Sequence, residues 1–200
     1  MVKPIVPKKY RELYINSGKQ KVIEILISFS DKEFSLSDLA KESRVAKANM
    51  GEILIDLEEK GLIEITKLSN LWRIKAKQDS WNLIKLKITF NLNFIYQSGL
   101  VEFLNDHYGN PKSIILFGSF RKGEDVTDSD IDIAIENNDI KDYRTEGLRE
   151  LVDFEKTINR KIQLHLFNKK NVDYDLFNSI ANGIVLSGFL EVSLGVKKNE

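Results

Sequence analysis

The chain lacks cysteine and has no long hydrophobic run. Without cysteine, disulfide bonds and thiolate zinc sites are excluded, and a reducing cytosol is the expected environment. No apolar stretch approaches the roughly 18 residues that a membrane span requires. Net charge is also absent, because 30 basic residues balance 30 acidic ones, so overall charge does not argue for nucleic acid or a membrane as partner. We therefore expect a soluble, cytoplasmic protein with no membrane partner.

The 200 residues are 42% hydrophobic and 30% charged, which is ordinary for a protein that builds hydrophobic cores. This length fits one large domain or two small ones. Residues 1–10 are basic, contain Pro4 and Pro7 and lack an apolar stretch. We expect a short arm there rather than a secretory signal.

Apolar residues recur at helical spacing in three segments of the first 60 residues. The pattern predicts helices over residues 19–29, 35–43 and 46–60. Ser35 with Asp38 has the spacing of a capping box at the start of the second helix, and Gly61 is placed to end the third. Residues 31–34 break the pattern, and a tight connection at residues 44–45 joins the second and third helices.

Two β-like runs follow, at residues 62–67 and 71–75, separated by Ser69 and Asn70. The order helix, helix, tight turn, helix, β-hairpin resembles the winged helix-turn-helix family. Ala40 is small enough to let two helices cross at a steep angle. We therefore predict an amino-terminal winged helix-turn-helix domain.

The winged-helix resemblance implies a contact with double-stranded DNA. Lys47 and Asn49 would then face the major groove at the start of a recognition helix, and Arg73 and Lys75 would meet phosphate near the wing. Winged helices also serve as protein-binding or dimerising modules. The predicted recognition helix is rich in acidic residues, namely Glu52, Asp56, Glu58 and Glu59. Both interpretations therefore stay open.

Aromatic and aliphatic residues are dense in residues 81–96, where helix and strand are both compatible with the composition. Leu83, Leu86, Phe90 and Phe94 recur at threes and fours, which favours a helical connector. A homodimer through this connector is a further hypothesis. The predicted domains are a winged helix-turn-helix at 1–78, a connector at 79–97 and a second domain at 98–200.

Two aspartates stand two positions apart in the second half of the chain. A buried-looking strand at residues 112–117 runs into Gly118 and Ser119. After ten intervening residues, 120–129, come Asp130 and Asp132 among isoleucines. On a strand, residues i and i+2 face the same side, roughly 7 Å apart at Cα, so both carboxylates point one way. Such paired carboxylates repel unless a cation lies between them, and their hard oxygen atoms suit one or two Mg²⁺ ions.

The glycine and serine have a matching chemistry. A glycine after a buried strand lets the backbone approach a phosphate without a Cβ in the way. The Ser119 hydroxyl can bond to phosphate oxygens, and Arg121 and Lys122 add positive charge. We read Gly118, Ser119 and Lys122 as candidate phosphate-binding residues, which would be nucleotide-binding residues under the family resemblance described next.

The string LFGSFRKGEDVTDSDIDIAIE, which ends at Glu136, resembles the signature of the DNA polymerase β-like nucleotidyltransferase superfamily. It is most similar to the minimal nucleotidyltransferase branch, and residues 176–188 resemble the closing helix and strand of those domains. A winged helix placed before such a domain is similar to an arrangement found in archaeal proteins. The resemblance implies an α+β fold with a mixed sheet, metal ligation by Asp130 and Asp132, and triphosphate binding at Gly118 and Ser119.

The sequence departs from that family at two places. The basic residue that often follows Gly-Ser is replaced by Phe120, with Arg121 one position later. The family places a third carboxylate on a later strand, which here is residues 161–167. Gln163 fills that slot and carries no charge, while His165 on the same face is read either as a third-site residue or as an edge histidine.

The leading functional hypothesis is a metal-dependent nucleotidyltransferase that uses Mg²⁺ or Mn²⁺ to move a nucleoside monophosphate from NTP, with ATP favoured, to a hydroxyl acceptor. The resemblance implies a range of acceptors, including a HEPN-type toxin, and the sequence does not choose among them. The alternative is a DNA-binding transcriptional regulator whose second domain binds nucleotide without turnover, and Gln163 favours it. A catalytically silent interaction module is a third hypothesis.

Overall fold

A computed structural model describes residues 17–68 and 71–192. This part of the chain forms two compact units. We call residues 17–97 together with 122–129 the amino-terminal unit, and residues 98–121 together with 130–192 the carboxy-terminal unit. The predicted arm at residues 1–10 and the predicted turn at Ser69 and Asn70 lie outside the described residues. The domain limits given above stay predictions.

Three helices open the amino-terminal unit: α1 (Gly18–Ser28), α2 (Leu36–Ser43) and α3 (Lys47–Glu59). All three were predicted within two residues of these bounds. Ser35 caps α2 as expected, because its hydroxyl oxygen accepts the Asp38 backbone N–H at 3.1 Å. Arg44 closes α2 at φ 54°, and Gly61 follows α3 at φ 67°, so both turns use the left-handed region.

A three-stranded antiparallel sheet completes this part of the unit. Its strands are β1 (Glu33–Ser35), β2 (Ile63–Leu68) and β3 (Leu71–Ala76), in the order β1-β3-β2. The sequence predicted the hairpin of β2 and β3 but treated residues 31–34 only as a break. That interpretation was wrong, because β1 has three residues, too few for a periodic pattern, and forms by pairing with β3.

The next helix, α4 (Trp81–Gln97), confirms the helix predicted for residues 81–96. This helix contributes to the hydrophobic core of the amino-terminal unit, which includes Leu26 and Leu54. Leu83 is buried in that core, and Leu86 and Phe90 pack against it. Two polar residues one turn apart, Lys87 and Asn91, are also buried.

Residues 122–129 of the same unit meet those polar side chains. The Lys87 ammonium lies 3.4 Å from the Asp125 carboxylate, with side-chain exposures of 3% and 1%. The Asn91 amide donates to the same carboxylate at 2.9 Å, and the Ser30 hydroxyl donates to the Asp125 carbonyl at 3.2 Å. Gly123 has φ 71°, and a Cβ there would come within 2.7 Å of the Ile84 carbonyl oxygen. The segment is therefore fastened to α4 by a buried charge pair and a close backbone approach.

The carboxy-terminal unit contains a five-stranded mixed sheet, which confirms an α+β architecture. Its strands are β4 (Ser113–Phe117), β5 (Ile131–Glu136), β6 (Arg144–Glu146), β7 (Ile162–Phe167) and β8 (Ile184–Gly188). The order is β6-β7-β5-β4-β8, with β5 and β7 parallel and the other pairs antiparallel. The helices are α5 (Leu100–His107), α6 (Gly118–Lys122), α7 (Val152–Ile158) and α8 (Tyr174–Ala181).

The two faces of this sheet differ in character. One face is aliphatic and fully buried, with Ile131, Ile133 and Ile135 of β5 beside the alternate residues of β7. The opposite face begins with polar residues and continues with the apolar residues Ala134 and Phe167, and the buried Glu136 ends β5 on it. There Ala134 and Phe167 form a cluster with Ile180 of α8. No helix within the described ranges is long and apolar enough to cross a membrane.

We expect Lys87→Met to destabilise the amino-terminal unit by about 3–5 kcal/mol, because it removes the buried ammonium group that pairs with the Asp125 carboxylate. Both tryptophans of the chain, Trp72 and Trp81, lie in this unit, so urea unfolding followed by tryptophan fluorescence reports on it directly. The matched control is Lys41→Met, which removes an exposed lysine of the same unit and should change the unfolding free energy by less than about 0.5 kcal/mol. Equal effects in both variants would contradict the assignment of a stabilising buried pair.

Candidate active site

The end of β4 and the start of β5 meet at Gly118. This residue has φ 73°, and a Cβ built on it would overlap the carboxylate of Asp132, whose Cγ lies 3.0 Å from that position. Only glycine fits both constraints without strain. The antiparallel register places Phe117 opposite Asp132, which brings the backbone turn against the acid.

The two predicted acids lie at the beginning of β5. Asp132 is the second residue of the strand and is half-buried, and Asp130 directly precedes it. The backbone between them is fixed, because the Ile131 N–H donates to the Lys161 carbonyl at 2.9 Å. The structure therefore brings Gly118 and Asp132 together and places Asp130 at the adjoining strand end.

The other predicted nucleotide-binding residues lie on the short helix α6. Ser119 is half-buried in its first turn, and Lys122 is exposed at its last position. Arg121 lies between them, and its Nε is buried without a hydrogen-bond partner among the described residues. A buried guanidinium donor that lacks a partner is costly unless a ligand completes it.

Gln163 stands beside Asp132 on the neighbouring strand. The parallel register of β5 and β7 pairs these two residues directly, and Gln163 is half-buried. The predicted facing is observed, since Ile162 and Leu164 point into the aliphatic face and Gln163 points to the other. The position nearest to Asp132 on β7 therefore carries a neutral amide.

His165 is next on this face and is bound on both ring nitrogens. Its Nε2 lies 3.4 Å from Asp132 Oδ1, and its Nδ1 lies 2.8 Å from the Tyr143 hydroxyl. The Phe117 ring packs edge-on against the imidazole at a centroid distance of 4.8 Å. His165 is 8% exposed, so it is a packed residue rather than a solvent-facing edge histidine.

Tyr143 is a member of this cluster that the sequence did not predict. It lies directly before β6, in a stretch without periodic apolar residues, so no pattern identifies it. Partial burial raises the pKa of the Tyr143 phenol above its ordinary value, and the negative charges of Asp173 and Asp132 raise it further. The hydroxyl therefore stays protonated across the neutral range and can donate or accept.

A further acid on the same face serves the sheet rather than the site. Glu136 ends β5, four residues beyond Asp132, and is buried. The Ser113 hydroxyl donates to it at 3.1 Å, and the Lys112 ammonium lies 3.5 Å away. With both partners in place, its carboxylate is satisfied within the strand pair.

The predicted DNA-contacting residues lie on the amino-terminal unit and are all exposed. Lys47 at the start of α3 donates to the Ser37 hydroxyl at 2.9 Å. The Arg73 guanidinium on β3 is bound to the Glu33 carboxylate at 2.5 Å. Asn49 lies on α3 and Lys75 on β3. An exposed lysine with one hydroxyl partner can turn to a phosphate, whereas Arg73 would first have to leave its carboxylate.

The residues around Gly118 fit a hard divalent cation. Asp130 and Asp132 carry carboxylate oxygens, the ligands that Mg²⁺ and Mn²⁺ prefer, and the Asp132 carboxylate occupies the space that a Cβ at position 118 would take. Within residues 17–68 and 71–192, no group of three or more acidic, histidine or cysteine side chains is arranged to hold a metal.

Residues 98–186 match the family model described as "Nucleotidyltransferase domain". The match begins just before α5, ends within β8 and includes Gly118, Asp132 and Gln163. It supports the nucleotidyltransferase part of the resemblance and nucleotidyl transfer as the general function. No curated protein and no solved structure matches the chain. The family match does not reach residues 1–97, so the winged helix stays a prediction.

We expect Gly118→Ala to lower the free energy of unfolding by at least about 1–2 kcal/mol, the penalty of a side chain at this positive φ. Displacement of Asp132 should lower it further. Urea unfolding followed by far-UV circular dichroism measures it. Gly147→Ala is the matched control, because no atom lies within 4 Å of a Cβ built there. A stability equal to that of the parent in Gly118→Ala would mean that the turn does not require glycine.

Proposed function

We propose that the chain is a divalent-cation-dependent nucleotidyltransferase that moves a nucleoside monophosphate from NTP to a hydroxyl acceptor. The observation that carries this proposal is the contact between the Gly118 backbone and the Asp132 carboxylate. It joins a turn that can receive phosphate to an acid that can hold a cation, and this combination suits a metal-bound phosphate compound.

Each residue of the site has a separate task in this proposal. Gly118 and Ser119 would bind the phosphates of NTP through backbone N–H groups and the Ser119 hydroxyl, with Arg121 and Lys122 adding positive charge. Asp130 and Asp132 would hold Mg²⁺ or Mn²⁺. When bound, such a cation offsets the charge that develops on the phosphate oxygens.

The reaction forms one bond and breaks another at the same phosphorus. An acceptor oxygen bonds to the α-phosphorus, the bond from that phosphorus to the bridging oxygen breaks, pyrophosphate leaves, and the acceptor proton passes to solvent. No acidic residue stands beside Asp132 on β7 to take that proton, because Gln163 occupies the position. Catalysis in this site would rest on placement and on charge stabilisation.

The amino-terminal unit is proposed to be a winged helix that directs the enzyme to a partner. Two features support that assignment. An antiparallel β2–β3 hairpin follows α3. The turn between α2 and α3 is short, and within it the Val45 N–H donates to the Ala40 carbonyl at 3.0 Å. Double-stranded DNA and a protein acceptor, such as the HEPN-type toxin that the resemblance implies, are the two classes of partner.

One observation favours the alternative function, a DNA-binding regulator that binds nucleotide without turnover. The register partner of Asp132 is the neutral Gln163, so a charge that could serve catalysis is missing at that place. Both functions need the Gly118 turn and both aspartates, and they differ in whether product forms.

Incubation with each α-labelled NTP, Mg²⁺ or Mn²⁺ and cell extract should transfer label to an acceptor. We expect Asp130→Asn to reduce the transfer by more than about 100-fold, since even outer-shell partners of a metal commonly account for 10–100-fold. The matched control is Asp139→Asn, which removes an exposed acid beyond the opposite end of β5 and should transfer normally. Nucleotide binding without transfer in any extract would favour the regulator.

Targeting to DNA is tested by a gel shift on genomic fragments at stated salt. We expect Lys47→Ala to weaken binding and to reduce the slope of log affinity against log salt by about one, the signature of one lost phosphate contact. Arg73→Ala should have a smaller effect because that guanidinium is already bound to Glu33. Absence of any shift at low salt would leave a protein as the proposed partner.

A further inference from the structure

The pair formed by His165 and Tyr143 is not used by the proposed reaction, although it touches Asp132. Each ring nitrogen of His165 has one oxygen neighbour, the Asp132 carboxylate at 3.4 Å and the Tyr143 hydroxyl at 2.8 Å. The first distance is at the long end for a hydrogen bond and the second is ordinary. The imidazole thus bridges a hydroxyl and the acid of the candidate site.

The position of the proton on His165 follows from these neighbours. A carboxylate oxygen only accepts hydrogen bonds, so a lone pair on Nε2 facing Asp132 would be repelled. Beside an ionised Asp132 the favoured tautomer therefore has hydrogen on Nε2, which donates to the carboxylate. In this tautomer Nδ1 accepts a hydrogen bond from the Tyr143 hydroxyl, and neither nitrogen offers a lone pair to a cation.

The ring is also fixed in orientation. The edge of Phe117 packs against it at an interplanar angle of 74°, and β7 is paired on both sides, to β5 and to β6. As a result, the two oxygens of Asp132 differ, since Oδ1 faces His165 and Oδ2 lies beside Gly118. Only the second faces the turn assigned to phosphate.

The number of cations that this arrangement can hold follows from charge. Two divalent ions about 3.5–4 Å apart repel strongly and need several shared and separate carboxylates. Here Gln163 is neutral and His165 is a donor, so β7 contributes no negative charge beside Asp132. Asp130 and Asp132 are the two acids that we assign to coordination at this strand end.

We infer that His165 is a positioning residue that orients Asp132 for a single divalent cation, with Tyr143 fixing the imidazole, and that it is neither a metal ligand nor a proton acceptor. This inference rests on the proposed function, because it concerns the same cation site. His165 can orient Asp132 in this way only while its Nε2–H donates a hydrogen bond to the Asp132 carboxylate.

The test uses Mn²⁺ as the probe, together with the α,β-methylene analogue of ATP, which cannot transfer its nucleotide. Electron paramagnetic resonance counts bound Mn²⁺, and pulsed measurements detect the hyperfine coupling of a directly bound imidazole nitrogen. We expect one Mn²⁺ per chain in the presence of the analogue and no imidazole nitrogen coupling. Two spin-coupled ions, or a coordinated imidazole nitrogen, would overturn the inference.

A pair of variants tests the donor role separately. His165→Ala should weaken Mn²⁺ binding by about tenfold or more, as the loss of an outer-shell partner does. His165→Gln keeps an N–H at a similar reach and should stay within about threefold of the parent, since the donor to the charged group is retained. Equal losses in both variants, with unchanged far-UV circular dichroism, would reject the positioning role.

The outcomes also separate this inference from the proposed function. Two bound Mn²⁺ with bound analogue would overturn the single-cation site while leaving a nucleotidyltransferase intact. Failure of the parent protein to bind either Mn²⁺ or the analogue would overturn both. Mn²⁺ titration of Gln163→Glu completes the comparison, because an acid restored beside Asp132 should admit a second ion.

Discussion

The approach of the Gly118 backbone to the Asp132 carboxylate is the constraint on which the carboxy-terminal unit depends. It fixes the register of β4 against β5, with Phe117 opposite Asp132. Because side chains alternate along a strand, a slip by one residue would send Asp132 into the aliphatic face and bring an isoleucine to the turn. The cost of burying an unpaired carboxylate there makes that alternative unfavourable. The contact therefore specifies the strand pairing and the position of the acid together.

One face of the sheet serves two purposes along its length. At the start of β5 and β7 it carries Asp132 and Gln163, which are half-buried, and two residues on it carries Ala134 and His165. Farther along, Phe167 belongs to the apolar cluster beneath α8. The apolar cluster around Phe167 therefore packs next to the polar residues Asp132 and Gln163 on this face. The polar side chains are thus held on rigid strands rather than on loops.

Much of this was predictable from the sequence because it depends on local periodicity. The alternation of Asp132 with isoleucines gave the strand and its facing, and the same logic placed Gln163 opposite to Ile162. Tyr143 was not predictable, since it lies in an irregular stretch and acts only through His165. The pairing of Lys87 with Asp125 was equally hidden, because partners 38 residues apart leave no periodic trace. The three-residue strand β1 arises from its pairing with β3 rather than from its own composition.

The fastening of residues 122–129 to α4 affects how the gene could be cut or recombined. The chain enters the carboxy-terminal unit at residue 98, leaves it after 121 and returns at 130. A fragment ending at residue 97 would retain Lys87 and lose Asp125, so it would expose a cation that the intact protein buries. Within the described residues the chain therefore passes between the two units three times, at residues 97–98, 121–122 and 129–130. Neither unit can be exchanged by a single cut in the gene.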